Sequence, residues 1–386
     1  MIKNTAIINR PGDRYGYYKI GNLKTYSRYE LMDEHHVSPQ SWKWNYNDEF
    51  FSSYNWSDEP RQTIDELYKK RAEQLRKNYD YLVLYYSGGY DSVNMLYAFL
   101  DNNIKLDEIC VFYSNYDTIS NQYKELSSIT WKKLDDIKKN YPDIKIRKFD
   151  YSDYFFKWDK MVNNLNLGKD LLYMFGSALS VNHIVTDLSY SYVEDWKFII
   201  SHGKKLAWIY GVDKPQLRYH EDRWIFNFFD GLIQTNITPM RQMIDDGNIG
   251  TYEFFYWAPV KECVDICIKQ SHLIKKSYSK NKENYFKNFT AGFGWTTDKM
   301  SRSFLDIIYP NIFKSKEEFY DIKNTSNIWG NRDEWFFNSK YPGSDIHWKM
   351  YQSTFMDNKK HYKRWYNDNN SIESGFRNAI SQDYVI

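Results

Sequence analysis

The chain has 386 residues with 52 Lys and Arg against 50 Asp and Glu, a near balance that argues against a protein whose main task is to coat nucleic acid. A chain of that length suggests two or three domains and can bury a core without disulfide staples. Its three cysteines, Cys110, Cys263 and Cys267, cannot build a disulfide framework, and Met1-Ile2-Lys3-Asn4-Thr5 lacks the charged-then-apolar pattern of a signal peptide, so a reducing cytoplasm is the expected setting.

Residues 1–56 mix short aromatic stretches with His35-His36 and hold no long apolar repeat, which reads as an irregular N-terminal extension. Order improves at Ser57, a candidate cap, and Thr63 with Glu66 has the spacing of a capping box. Behind it Ile64, Leu67, Tyr68, Ala72 and Leu75 recur at helical spacing, leaving Lys69, Lys70, Arg71 and Arg76 for the exposed face. Tyr81 to Tyr86 is apolar without alternation, as a strand buried on both faces of a parallel sheet reads. A Gly-rich loop follows, then a packed helix over Val93 to Leu100.

The rhythm repeats with a strand at Glu108 to Tyr113, a helix from Asn121 to Asn140 ahead of Pro142, and a strand at Ile144 to Phe149. Helices are expected over Asp153 to Leu167, Leu171 to Leu188 and Tyr192 to Ser201, then a short buried strand from Leu206 to Tyr210. This alternation predicts an α/β fold, a mainly parallel sheet sandwiched by helices, over residues 57–215. Ligands in such sheets sit at the carboxyl ends of the strands. Beyond Gly211 the pattern loosens: strand or hairpin pieces at 224–229 and 253–257, a helix from Pro259 to about Tyr278, then fragments rich in Trp and Tyr. Residues 216–386 read as a mostly helical, aromatic-rich cap or substrate lobe. No apolar run approaches the length of a membrane span. The bias towards Tyr, Asn, Lys and Ile, residues with A/T-rich codons, fits a phage or A/T-rich microbial source, whose setting would be the host cytoplasm.

The chemistry concentrates in Ser87-Gly88-Gly89-Tyr90-Asp91-Ser92. Consecutive glycines after a buried strand allow positive φ and let backbone N–H groups approach a phosphate. Ser87 and Ser92 add hydroxyls, and the helix that opens at Asp91 aims its positive end at the same point. A carboxylate inside an anion cradle makes chemical sense if it holds a divalent cation. The Gly-Lys-Ser/Thr ending of a Walker loop is absent.

This hexapeptide resembles the pyrophosphate-binding loop, Ser-Gly-Gly-x-Asp-Ser, of the N-type ATP pyrophosphatases (the PP-loop superfamily, with an adenine nucleotide alpha hydrolase-like, Rossmann-like fold), and its setting between strand and helix matches as well. The resemblance covers about residues 60–215 and implies ATP and Mg²⁺ as ligands and cleavage of ATP to AMP and pyrophosphate. It implies nucleotide binding by Ser87, Gly88, Gly89, Tyr90, Asp91 and Ser92, with Asp91 on the metal. Tyr113-Ser114, ending the second strand, occupies the place where members contact adenine.

The basic helix before the loop is similar to that of the asparagine synthetase branch, whose later Gly-x-Gly-x-Asp-Glu motif also serves the metal. Gly211-Val212-Asp213 lies at the matching place without the second Gly or the Glu, so only Asp213 carries over, as a second metal carboxylate. Lys214 could neutralise developing phosphate charge or be a solvated turn lysine. Thiolating branches need reactive cysteines, and Cys263 with Cys267 reads most simply as one helix face. Residue 2 is Ile rather than a catalytic Cys, so ammonia would come from solution or from a partner. His183, His220 and His272 are isolated, and Lys269, Lys275 and Lys276 either line the cleft or form a solvated face. The expected activity is adenylation of a small-molecule oxygen followed by attack of a nitrogen nucleophile. The alternatives are nucleobase or tRNA modification by the same chemistry, and nucleotide binding without catalysis.

Overall fold

The computed structural model of the chain describes residues 16–25, 34, 37, 41–113, 130–150, 193–211, 216–220, 222–228, 249–255, 259–280, 290–292, 305–311 and 381–386. In chain order these carry β1 (Tyr17–Ile20), β2 (Leu23–Thr25), β3 (Trp42–Asn45), α1 (Asp48–Ser52), α2 (Ile64–Asn78), β4 (Tyr81–Tyr85), α3 (Tyr90–Leu100), β5 (Glu108–Tyr113), α4 (Trp131–Asn140), β6 (Lys145–Asp150), α5 (Glu194–Ser201), β7 (Leu206–Tyr210), β8 (Gln216–His220), β9 (Arg223–Asn227), β10 (Ile249–Glu253), α6 (Lys261–Lys280), β11 (Thr290–Gly292) and β12 (Tyr384–Val385). The helices expected at 153–167 and 171–188 lie outside the described residues.

The unbroken apolar run at Leu82-Val83-Leu84 is fully buried, as a strand must be when both faces are covered. It is the middle strand of a five-stranded sheet, β10-β7-β4-β5-β6, in which every neighbouring pair is parallel. Trp208 is the register partner of Val83, which also pairs with Glu108, and Trp208 meets Trp196 of α5 edge-on at 5.3 Å. Tyr113, of opposite parity to Glu108 on β5, points to the other face and meets Trp131 of α4 at 5.4 Å. Helices therefore cover both faces, the α/β architecture expected from the alternation. Counted by chain order within the sheet, the strands run 5-4-1-2-3. The order reverses between β4 and β7, which makes their carboxyl ends the switch point of a doubly wound sheet.

The α2 helix starts where the capping box predicts, with the Thr63 hydroxyl accepting from Glu66 N–H and the Glu66 carboxylate accepting from Thr63 N–H at 2.7 Å. Thr63→Ala is expected to lower stability by about 1 kcal/mol, read from urea unfolding. One position on α2 departs from the sequence reading: Arg71, assigned to the exposed face, is fully buried. Its Nε donates to Phe254 O at 3.0 Å and its Nη1 to Gln74 Oε1 at 2.5 Å, so the guanidinium ties α2 to the chain leaving β10. Helical spacing could not show this, because α6 packs along α2 and buries a wider stripe than its apolar residues mark.

Two further findings concern the flanks. The stretch read as irregular holds a three-stranded antiparallel sheet, β2-β1-β3. Its strands are three or four residues long, too short to show an alternation. The lobe read as mostly helical carries a four-stranded antiparallel sheet, β11-β8-β9-β12, among its described residues. The parallel sheet also does not stop at 215, because β10 forms its edge beside β7. The C-terminal β12 pairs with β9, and Tyr384 stacks on Trp56 at 4.5 Å, inside an aromatic cluster with Phe51, Phe226 and Phe228. Among the described residues, many of the Tyr, Trp and Phe side chains are thus core.

Candidate functional site

The loop 87–92 leaves β4 at the switch point. Its first turn is made possible by Gly88, whose φ of 78° lies in the left-handed region that favours glycine. Gly89 is the N-cap of α3, and without a side chain it supplies no cap to the first turn. The N–H groups that open a helix have no partner within it, so this end presents donors and a positive dipole to the strand ends. Asp91 stands in that first turn.

Hydroxyls brace the loop from inside. Ser92, almost fully buried, donates to Gly89 O at 3.0 Å and accepts from Ser87 N–H at 3.3 Å. It therefore acts as a strut within the loop. Ser87 Oγ lies 3.3 Å from Ser92 Oγ, accepts from Gly89 N–H at 3.3 Å, and belongs to an exposed residue. Thr130, buried at the start of α4, donates to Ser87 O at 3.4 Å. No sequence signal marked Thr130, which lies 43 residues from Ser87 and reaches it only through the β5–α4 crossover.

Two other parts of the chain converge on Asp91. Gly211, directly after β7, comes so close that a Cβ there would stand 2.7 Å from Asp91 Cβ and 3.2 Å from Met95 Cε. Only glycine lets β7 end this close to α3. From the far part of the chain, the buried Tyr309 donates its hydroxyl to Asp91 Oδ1. Two residues on, Asn311 N–H donates to Asn94 Oδ1 at 3.0 Å, and Asn94 Nδ2 donates to Tyr90 O at 2.9 Å. Tyr309 and Asn311 were not singled out from the sequence, since they follow a short helical turn with no periodic pattern.

Tyr113 lies three residues beyond Cys110, the register partner of Tyr85, and so stands beside the loop, half-buried against Trp131. Ser114, Asp213 and Lys214 lie outside the described residues, as does His183. On the opposite face of the sheet, Tyr85 at the end of β4 stacks on Tyr210 at the end of β7 (4.5 Å, 21° between planes), and Phe112 and Phe149 continue the row. An aromatic residue at or next to the last position of each strand was the sequence signal for this row.

The other candidates resolve into structure. Lys269 Nζ donates to Glu59 Oε1 at 2.7 Å and to Pro60 O at 3.1 Å, Lys276 also pairs with Glu59, and Lys275 donates to Ile386 O at 2.8 Å. These lysines fasten α6 to the segment before α2 and to Ile386, just past β12. His272 is buried with Nε2 3.0 Å from Trp56 O, and desolvation holds its pKa below the usual value. Cys110, Cys263 and Cys267 are buried, and burial pushes the Cys110 thiol up.

No protein-family model matches this chain, and no curated protein matches it in sequence. The functional reading therefore stands on the loop and its place in the sheet.

Among the described residues no cluster of three or more His, Cys, Asp and Glu side chains forms a ready-made metal site. Mg²⁺ is ordinarily held by one or two carboxylates together with substrate phosphates. A single oriented aspartate in the first turn of a helix with an uncapped glycine start meets that requirement, whereas the buried thiols offer nothing to a soft metal. Among the described residues no helix is long and apolar enough to cross a membrane.

Proposed function

We propose that this chain is an ATP-dependent adenylating enzyme of the PP-loop kind, with an adenine nucleotide alpha hydrolase-like domain. The observation that carries the reading is the position of Ser87–Ser92: after the central strand, at the switch point, opening α3 through Gly89 and meeting the end of β7 through Gly211. In a doubly wound sheet that crevice is where a nucleotide's phosphates lie against a helix start.

In this reading the N–H groups of the loop hold the phosphates, and Asp91 would hold a Mg²⁺ whose charge would offset theirs. Asp213, two residues past Gly211, is the proposed second carboxylate, and Lys214 the proposed cation near the leaving group. Tyr113 and Ser114 are assigned to the adenine side. An acceptor oxygen attacks the α-phosphorus, the bond from that phosphorus to the bridging oxygen breaks, and pyrophosphate leaves. A nitrogen nucleophile, ammonia from solution or from a partner, then displaces AMP. The chain's contribution is alignment and charge stabilisation in a fixed cradle. The buried cysteines favour nitrogen over sulfur as the nucleophile.

The test follows ATP labelled at the α-phosphate, with Mg²⁺ and a panel of carboxylic acids, amines and tRNA. AMP and pyrophosphate are the expected products, in amounts that rise with the true acceptor. ADP and phosphate as main products would overturn the assignment. ATP binding without turnover on any acceptor would favour a nucleotide-binding protein, and stimulation by tRNA alone would favour nucleobase modification.

A further inference from the structure

We propose that Tyr309 is the positioning residue for the Asp91 carboxylate, fixing the direction in which Asp91 presents its charge to a cation. The inference rests on the reading of Asp91 as the residue that holds the metal of a bound nucleotide. The Tyr309 hydroxyl donates to Asp91 Oδ1, and its ring is fully buried. The ring has little freedom, packing against Phe255 at 5.4 Å and Tyr68 at 6.5 Å. Its backbone is tied down too. Tyr309 N–H donates to Leu305 O at 2.8 Å, and the Tyr68 hydroxyl, itself accepting from Gln270 Nε2 at 2.8 Å, donates to Ile308 O at 2.5 Å. The bond from Asn311 to Asn94 fastens the same segment to the next turn of α3.

Gly211 closes the other side, 2.7 Å from Asp91 Cβ if it bore a Cβ of its own. Asp91 is thus held between the end of β7 and a tyrosine from the far part of the chain. A phenol donating to a carboxylate is a charge-assisted bond, short and directional. It uses one of about four acceptor positions on the carboxylate, so it orients the group and leaves it able to bind a cation. Partners of this kind, one step behind a metal ligand, typically change metal affinity by about 10- to 100-fold when removed.

The test uses the full chain and α,β-methylene-ATP, which cannot be cleaved at the proposed bond, titrated calorimetrically with and without Mn²⁺. Wild type is expected to bind the nucleotide more tightly with Mn²⁺, and Asp91→Asn to lose that gain. Tyr309→Phe is expected to cut the gain by about 10- to 100-fold while leaving metal-free binding unchanged. Phe255→Leu, which loosens the packing but keeps the hydroxyl, should retain the gain. A purely structural role for Tyr309 would lower binding equally with and without Mn²⁺. A folded Tyr309→Phe protein with the full gain, beside an Asp91→Asn protein without it, would overturn the proposal and leave the metal reading standing. Absence of any Mn²⁺-dependent gain in wild type would overturn both. Should Tyr309→Phe fail to fold, 3-fluorotyrosine at position 309 reads the contact directly. Its ¹⁹F signal is expected to move when Mg²⁺ and α,β-methylene-ATP are added together and to stay still in Asp91→Asn, and an unmoved signal in wild type counts against the proposal.

Discussion

Asp91→Asn is expected to lower pyrophosphate release from ATP by on the order of 10³-fold or more while leaving the fold intact. A divalent cation on transferring phosphates contributes several kcal/mol of charge stabilisation, and a neutral carboxamide holds such a cation far more weakly than a carboxylate does. The substitution is otherwise mild. Asn has nearly the same shape, and its side-chain oxygen can still accept from the Tyr309 hydroxyl that now meets Oδ1. What the fold loses is one negative charge in the first turn of α3, worth about 0.3–1 kcal/mol against the helix dipole. That is small beside a typical domain stability of about 5–15 kcal/mol. The comparison is the rate of AMP formation with the acceptor found in the product screen, alongside urea unfolding of both proteins. A slightly lowered midpoint with turnover gone is the expected pair of results. Full activity in Asp91→Asn would refute the proposed role of the loop.

The sequence made the central strands and the loop readable, and the reason is physical. Tyr81 to Tyr85 and Leu206 to Tyr210 are buried on both faces, so their apolar runs are continuous and need no alternation to be recognised. The loop was readable because glycines and a short polar set must occur in a fixed order where a strand turns into a helix. Short antiparallel strands carry less signal. β1 and β2 join through Gly21-Asn22, with Ile20 opposite Leu23, and that two-residue turn was the usable cue. The β10 strand hides for another reason: it reaches the sheet edge only after the excursion through β8 and β9. Tyr309, Asn311 and Thr130 were out of reach because each acts through one contact made across a long span of chain. Gly211 was noted for its place after a strand, but its need to be glycine becomes visible only when Asp91 is found against it.

The second large effect lies away from the loop, at Glu108. Its side chain is fully buried at the start of β5 and accepts from Arg147 Nε, from the Tyr81 hydroxyl at 2.8 Å and from Trp196 Nε1 at 3.3 Å. Arg147 lies over the Trp196 ring and reaches out to Asp195 at 2.7 Å, and Lys145 pairs with the same carboxylate. Removing one partner of a buried ion pair leaves the other charge poorly solvated, which typically costs about 3–5 kcal/mol. Glu108→Ala is therefore expected to lose about that much in urea unfolding, with Glu108→Gln intermediate because it keeps an acceptor oxygen. Replacing both members with apolar residues, Glu108→Leu with Arg147→Met, should recover much of the loss. A Glu108→Ala protein within 1 kcal/mol of wild type, by the same standard, would mean that the network is not desolvated as described. The outer end of the network adds a pH signature. Hydrogen bonds from Lys145 and then Arg147 hold the Asp195 pKa down to about 2, against an ordinary 3.8. A depressed carboxylate contributes stability that is complete above the ordinary value and is lost as pH falls through the folded one. The stability gap between wild type and Asp195→Asn should thus be constant above about pH 5 and close as pH falls through about 2, below which both side chains are neutral. Because Asp195 is largely exposed, the gap should also shrink in high salt, and a gap indifferent to both pH and salt would assign the effect of Asp195 to packing rather than charge.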